Sequence, residues 1–405
     1  MVPRYPFPLI GGDRVKSYHL LKILAQRHNV TCVSFVEDHP LKPEYIQAVE
    51  ELGVKVYPIS LHKVKAAMRV ALTSLSAKPL EVQYYMDARF RRMVRMLHRL
   101  RPFDLAISFF MRTAEYAREL PGTPRILIAE DARILLQQRA ISSFRLSPGY
   151  FMRSLEHKKL LHYEPRIINE FDAVTYVSEA ERAFMQKLNP EVRTAVITNG
   201  VDTDEFAFSA DQSHRKGIIF CGKMDVMHNV DMAVRIGKEI FPRLKKEFPD
   251  LEYTIAGKNP VRAVRALARN DIHVLGEVPH VQESIRSAAL FVHPQKVGTG
   301  IQNKILETMA LGTPVVTTPL GISGINAQDG VHARITRTED FVAVCAQLLR
   351  SEIDRARMAQ NARALIEREH TWEAVASQMD AVMERVVGAP HKTAMYVPIG
   401  KEMVE

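Results

Sequence analysis

Short apolar runs rich in β-branched residues alternate with stretches of helical periodicity along most of this chain, and the alternation stops once and then restarts. In the first half, residues 30–36, 54–59, 105–109, 125–129, 173–177 and 195–198 have the length and composition of strands buried on both faces. Residues 18–27, 89–99 and 179–188 carry the apolar period of helices. Strands separated by helices pair in parallel, with the helices covering both faces of the sheet. The pattern therefore predicts a doubly wound α/β domain. Asn199-Gly200-Val201-Asp202 breaks it, and the polar residues 209–216 offer a linker.

The alternation resumes with apolar runs at 217–221, 251–256, 272–275, 290–293 and 314–317 and helical patterns at 229–248, 281–288 and 302–311, which predicts a second domain of the same class. From Thr338 to about Val387 the chain reads as helical throughout, with Trp372 inside a long amphipathic tract. We divide the chain into an acceptor-side domain (1–205), a nucleotide-binding domain (206–370) and a helical tail (371–405) that could return to the first domain. Two open parallel sheets facing each other enclose a cleft, and ligands of such sheets bind beyond the carboxyl ends of the strands.

Composition removes several classes. With 405 residues, 46% hydrophobic and 25% charged, the chain can bury two cores and resembles neither a disordered nor a disulfide-stapled protein. Its three cysteines, Cys32, Cys221 and Cys345, lie in apolar runs without zinc-type spacing, which fits a reducing cytoplasm and no metal. No run of about 18 uncharged apolar residues exists and no secretory leader pattern opens the chain, so a soluble or at most peripheral protein is expected.

The net charge of +9 is concentrated. Residues 62–101 hold ten lysines and arginines against Glu81 and Asp87. Within them, Phe90, Met93, Val94, Leu97 and Leu100 form an apolar stripe, with Arg91, Arg92, Arg95 and Arg99 between. Such a helix could face an anionic membrane leaflet or be a solvated helix face. Few aromatic residues accompany the charges, which argues against nucleic acid.

Two segments carry candidate chemistry. Gly11-Gly12-Asp13-Arg14 follows an extended Pro-rich stretch and precedes a helix, so its backbone could approach a phosphate or sugar hydroxyl, or be a tight turn. In the second segment, Gly298 and Gly300 precede Ile301-Gln302-Asn303-Lys304 and a helix whose N-terminal amides suit a diphosphate. Lys304 and Glu307 are i, i+3 neighbours there, a cation for phosphate and a carboxylate for ribose, or a surface pair on an ordinary helix.

Together, the Gly11-Gly12 loop, Phe171-Asp-Ala-Val-Thr-Tyr-Val-Ser-Glu-Ala-Glu181, Asn199 to Phe206, Phe220-Cys-Gly-Lys-Met224 and Gly300 to Val316 resemble the retaining nucleotide-sugar glycosyltransferases of family 4 over nearly the whole chain. The Gly-Ile-Gln-Asn-Lys wording and residues 224–231 are most similar to a subgroup assigned to bacterial exopolysaccharide assembly. The resemblance implies the GT-B architecture of two Rossmann-like domains. It makes Glu307 the ribose-binding second glutamate of an E-x7-E motif and Lys223 the basic residue that reaches the donor diphosphate. Gly222, Ile301, Gln302 and Asn303 join the donor site and Lys304 becomes a second catalytic cation, so that no metal or cofactor is called for. Arg14 and Asp131 are the acceptor-side candidates, Asp131 alternatively being a helix cap; His19 and His293 are read as structural.

The chain departs from the family pattern in three places. Thr299 replaces the first motif glutamate, which normally touches the transferred sugar, and His228 stands where a second basic residue often follows Lys223, a role that Lys304 could fill. Before Pro3 only Met1-Val2 remains of the expected first strand, so the natural start is expected upstream. The resemblance implies transfer of a sugar from a nucleoside-diphosphate donor to a glycan or polyprenyl-linked acceptor, in the cytoplasm or on the inner face of the membrane. The alternatives are a UDP-sugar 2-epimerase-like isomerase and a non-catalytic sugar-nucleotide binder.

Overall fold

A computed structural model describes residues 1–37, 41–143, 149–298 and 300–388. The first half contains strands β1 (Thr31–Val36), β2 (Lys55–Ser60), β3 (Ala106–Phe109), β4 (Arg125–Glu130), β5 (Ala173–Tyr176) and β6 (Thr194–Val196). Its helices are α1 (Gly12–Ala25), α2 (Pro43–Glu50), α3 (Lys63–Thr73), α4 (Leu80–Tyr85), α5 (Ala88–Leu100), α6 (Met111–Ala114), α7 (Arg133–Ser143), α8 (Gly149–Ile167) and α9 (Glu179–Leu188). All strand pairs are parallel, β1 with β2 and β3-β4-β5-β6 in order. The backbone of Met1 and Val2 joins these two sheets. Val2 donates to the Val33 carbonyl at 2.9 Å and accepts from Phe35, and Met1 accepts from Phe109 at 2.9 Å. A cavity of about 530 Å³ lies beside this junction, lined by Leu20, Leu24, Cys32, Leu97, Ile107 and Ile128, on the far side from the residues discussed below.

The second half builds one parallel sheet in the order β12-β11-β10-β7-β8-β9, from β7 (Ile218–Cys221), β8 (Tyr253–Ala256), β9 (Ile272–Gly276), β10 (Leu290–His293), β11 (Val315–Thr317) and β12 (Arg334–Ile335). Phe220, Tyr253, Ile255, Phe291 and Val315 of its strands are fully buried, and each such side chain contributes about 1.5–3 kcal/mol by leaving water. Around it lie α10 (Met227–Arg235), α11 (Phe241–Lys245), α12 (Arg262–Arg265), α13 (Val281–Ser287), α14 (Asn303–Ala310), α15 (Phe341–Arg350) and α16 (Glu352–Glu369). The single helix expected at 229–248 is interrupted. Residues Ile236–Ile240 form a π-helical turn just before Pro242, whose missing N–H cannot continue an α-helical ladder.

The last described helix, α17 (Trp372–Val387), leaves the second domain and packs Trp372, Val375, Met379, Val382 and Val386 into the same core as Leu20, Leu21, Ile126 and Ile197 of the first. Trp372 stacks flat on His19, ring centres 4.1 Å apart, and an isolated bridge joins Val201 to Thr371. Two further expectations are corrected. The first helix begins at Gly12 rather than near residue 18, and Leu100 at the end of the α5 stripe is exposed instead of packed, because the chain turns away after it. Among the described residues no helix is long and apolar enough to cross a membrane.

Candidate functional site

On the second-domain side, three chain segments converge at the carboxyl ends of β7 and β10. Lys304, in the first turn of α14, donates its Nζ to Asn229 Oδ1 at 2.7 Å, near the start of α10. It lies 5.1 Å from the centre of the Phe220 ring. A Cβ on Gly222 would sit 2.9 Å from that Nζ, so only glycine lets the turn after β7 approach the ammonium. Enclosure lowers the Lys304 pKa from its ordinary value, with Cys221 and Glu307 acting in the opposite sense. Glu307, one turn along, is pushed up to about 7, mainly by burial and against the pull of Lys304. His293 closes the floor, fully buried, with Nδ1 3.3 Å from Thr317 Oγ1 and Nε2 unpartnered. Its pKa lies far below the usual value, through burial, then Lys304 and His228, so the ring is neutral.

Lys223 is exposed and lies 3.6 Å from Asp225, in the same turn as Gly222. His228 is also exposed, with a pKa lowered by burial of its ring and by the Lys304 charge. The ammonium of Lys304 thus occupies the neighbourhood of position 228 from a different helix. Thr299 lies outside the described residues.

On the first-domain side, the residues ending β3 and β4 are strained. Phe110 has φ 59° and Glu130 φ 67°, the left-handed region that non-glycine residues rarely adopt. Glu130 is buried against Lys16, 2.6 Å away, whose ammonium also donates to the Ile197 carbonyl at 2.9 Å. Asp131 follows, with its carboxyl raised by burial despite Arg133 and Lys16. The expected capping role fails: the amides that open α7, of Arg133 and Ile134, donate instead to Glu164, at 3.0 and 2.8 Å.

The two halves meet at Gly300 and at Gly12. Gly300 has φ 68°, and a Cβ there would fall 2.6 Å from Asp131 Oδ1. Its amide donates to Glu181 of α9, and Arg139 of α7 donates to the Gly298 carbonyl at 3.2 Å. Gly11 caps α1 with φ 100°, and Gly12 lies close to the Asn303 amide, whose Oδ1 accepts from Asn199 at 2.8 Å. Arg14 is buried in the first turn of α1. Ile301 is buried against the backbone of Gly324, and Gln302 caps α14.

Sequence reasoning passed over Glu130, Glu181, Arg139 and Asn229. Their roles come from contacts across the fold, and only Glu181 lay in a segment that the resemblance used. Burial, and secondarily the Asp131 charge, pushes Glu181 up to about 8. An acid raised in this way keeps its proton in the folded chain while the unfolded chain loses it. Its contribution to stability therefore falls as pH rises from the ordinary carboxylate range to about 8. Glu181→Gln should melt with wild type below pH 4.5 and above it in alkaline buffer. Parallel melting profiles across that range would show that this carboxyl titrates normally.

Among the described residues, no group of three or more His, Cys, Asp or Glu side chains could hold a metal ion. What the cleft offers is one enclosed ammonium, a neutral imidazole, a carboxylate one helical turn from the ammonium, and a helix N-terminus. That inventory suits a diphosphate attached to a group bearing vicinal hydroxyls.

Comparison with known proteins agrees with this inventory. The family profile described as Glycosyltransferase Family 4 matches residues 10–205, and the one described as Glycosyl transferases group 1 matches residues 215–351. The phosphatidyl-myo-inositol mannosyltransferase of Mycobacterium tuberculosis is 29% identical over 212 residues, which is 48% of this chain and 55% of that one. The Mycolicibacterium smegmatis protein of the same name is 32% identical over 205 residues, 48% of this chain and 52% of that one. The chain thus spans about half the length of these curated relatives. Among solved structures, WaaG, a glycosyltransferase involved in lipopolysaccharide biosynthesis, superposes with TM-score 0.63 at 16% identity, covering 96% of this chain and 99% of that one. Anabaena HepE, solved with UDP and glucose, gives 0.62 at 14% identity, over 90% and 95%. At these identities the likeness is one of fold, two Rossmann-like domains in the GT-B arrangement.

Proposed function

Because the chain belongs to glycosyltransferase family 4, we propose that it moves a sugar, with retention of its anomeric configuration, from a nucleoside-diphosphate donor to a lipid-linked or polysaccharide acceptor of cell-surface glycan synthesis. The observation that carries this reading is the pairing on α14, where Lys304 is held by Asn229 against Gly222 and Glu307 follows one turn later. In this reading Lys304 and the first amides of α14 bind the diphosphate and stabilise the charge it gains as the glycosidic bond breaks. Lys223 approaches the same phosphates from the turn after β7, and Glu307 accepts from the ribose hydroxyls. Gly11 and Gly12 admit the donor from the opposite wall, with Arg14 and Asp131 toward the acceptor. The departing phosphate accepts the acceptor's proton, so no second carboxylate is needed for retention. The positive charge does the work that a metal does elsewhere, and the sugar nucleotide is a substrate rather than a cofactor. The enzyme works in the cytoplasm, peripheral to the inner face of the membrane, with no part for nucleic acid.

Glu307→Ala should weaken binding of the cognate nucleoside diphosphate, found by screening UDP and GDP, by about tenfold or more, the loss of a charged hydrogen bond worth about 1.5–3 kcal/mol. Since hydroxyl donors favour the ionised carboxylate and this one is pushed up to about 7, wild-type affinity should also rise as pH climbs through neutrality, and the variant should not follow. Calorimetric titration at pH values either side of 7 reads both effects. Unchanged affinity in Glu307→Ala would remove α14 from the donor site. Incubating UDP-sugars without acceptor separates transfer from isomerisation, since only an isomerase converts the donor by itself.

A further inference from the structure

Helix α3 is turned inside out. Val64, Met68 and Leu72 recur every four residues on one face, and Leu75 follows on the same side, yet they are 72, 53, 86 and 98% exposed, while the opposite face buries Ala66. Lys63 and Lys65 flank the stripe, and from His62 to Leu80 the chain holds Lys63, Lys65, Arg69 and Lys78 without one acidic residue. The ridge continues onto α8. There Lys159 donates to the Ser74 carbonyl and Glu156 accepts from the amides of Leu80 and Glu81. One turn earlier, on the same side of that helix, Phe151, Met152 and Leu155 are exposed, with Lys158 nearby. A contiguous apolar surface rimmed only by cations is unusual on a protein that meets nothing but water.

We propose that the first domain docks on an anionic lipid surface through this ridge of α3 and the start of α8, and not through the arginine row of α5. Apolar side chains entering the headgroup boundary beside lysines are the signature of interfacial helices, and positive charge is complementary to an anionic leaflet. Helix α5 fails that description. Its Phe90, Val94 and Leu97 are in the core, Arg91 and Arg95 share Glu119, and Arg89 is paired with Asp87. The ridge also borders the site. Glu81, in the turn that Glu156 holds, binds both Arg112 and Arg133, and Arg133 lies in the field of Asp131. A lipid-linked acceptor standing in the leaflet would therefore have its head group at the mouth of the cleft. That last step rests on the function proposed above; the docking surface itself does not.

The test is flotation of the full chain with vesicles of phosphatidylcholine, with and without a one-third share of phosphatidylglycerol. Wild type should float with the anionic vesicles, and Met68→Glu/Leu72→Glu/Leu75→Glu should lower the bound fraction by about tenfold or more. The milder Leu72→Ser/Leu75→Ser should fall between. Arg91→Glu/Arg95→Glu/Arg99→Glu should stay within about twofold of wild type. Equal flotation of wild type and the α3 triple variant overturns the proposal, as does loss of flotation in the α5 variant alone. If wild type does not float but forms dimers that the α3 variant lacks, the ridge covers a second copy and the lipid assignment fails. Melting shifts with UDP and GDP, measured on the same proteins, report the donor site separately. Their preservation shows that the variants are folded, and their absence in wild type would count against the proposed function while leaving the flotation result standing.

Discussion

Lys304→Ala will lower turnover by about 10²–10³-fold while weakening nucleotide binding by less than about tenfold. The asymmetry follows from when the charge is needed. In the ground state the diphosphate already has helix amides and Lys223 nearby, but the negative charge that appears as the sugar departs needs a donor already in place. Lys304 is in place, fixed by Asn229 at 2.7 Å and backed by the Phe220 ring. Enclosure lowers its pKa in the free protein, and a bound diphosphate would reverse that shift by adding negative charge. Lys304→Arg should not restore turnover, since Gly222 and Asn229 leave no room for a planar fork around the ammonium. A chelator should leave wild-type turnover unchanged. Equal losses in binding and turnover on Lys304→Ala, or activity that a chelator removes and magnesium restores, would defeat the mechanism.

Trp372→Ala should destabilise the first domain by about 3–5 kcal/mol, the usual range for emptying a buried aromatic site. Its ring lies flat on His19 with an interplanar angle of 2° and packs so tightly against Gly200 that a Cβ there would come within 2.6 Å of it. Burial pushes the His19 pKa down to about 4, so the stacked imidazole is neutral at ordinary pH and the contact should persist throughout the neutral range. Thermal unfolding followed separately by tail fluorescence and by nucleotide protection should show the loss in the first domain, with the nucleotide response at low temperature retained. A melting midpoint unmoved by the substitution would mean that α17 is a passenger on the surface.

The fold was legible because buried parallel strands announce themselves locally: Leu290–His293 and Ile218–Cys221 are continuous apolar runs wherever they are read. The donor half of the cleft was nearly as legible, since Gly300, Asn303, Lys304 and Glu307 lie within one turn-and-helix segment. The acceptor half was not. Glu181 matters through Gly300 and Asp131, and Glu164 caps α7 from another helix, so neither relation leaves a trace in local spacing. The basic stretch was misjudged for a related reason. Periodicity says that α3 and α5 are both amphipathic but not which face meets water, and the apolar stripe of α5 turned inward while that of α3 turned outward.

The return of α17 to the first domain also fixes an order of events during synthesis. Chains fold domain by domain as they emerge, but here the apolar surface formed by Leu20, Leu21, Ile126 and Ile197 stays uncovered until residues made after the whole second domain arrive. The first domain to leave the ribosome is therefore the last to be finished. In the interval it is an open-faced intermediate that depends on chaperones, and the second domain can reach its native state before the first.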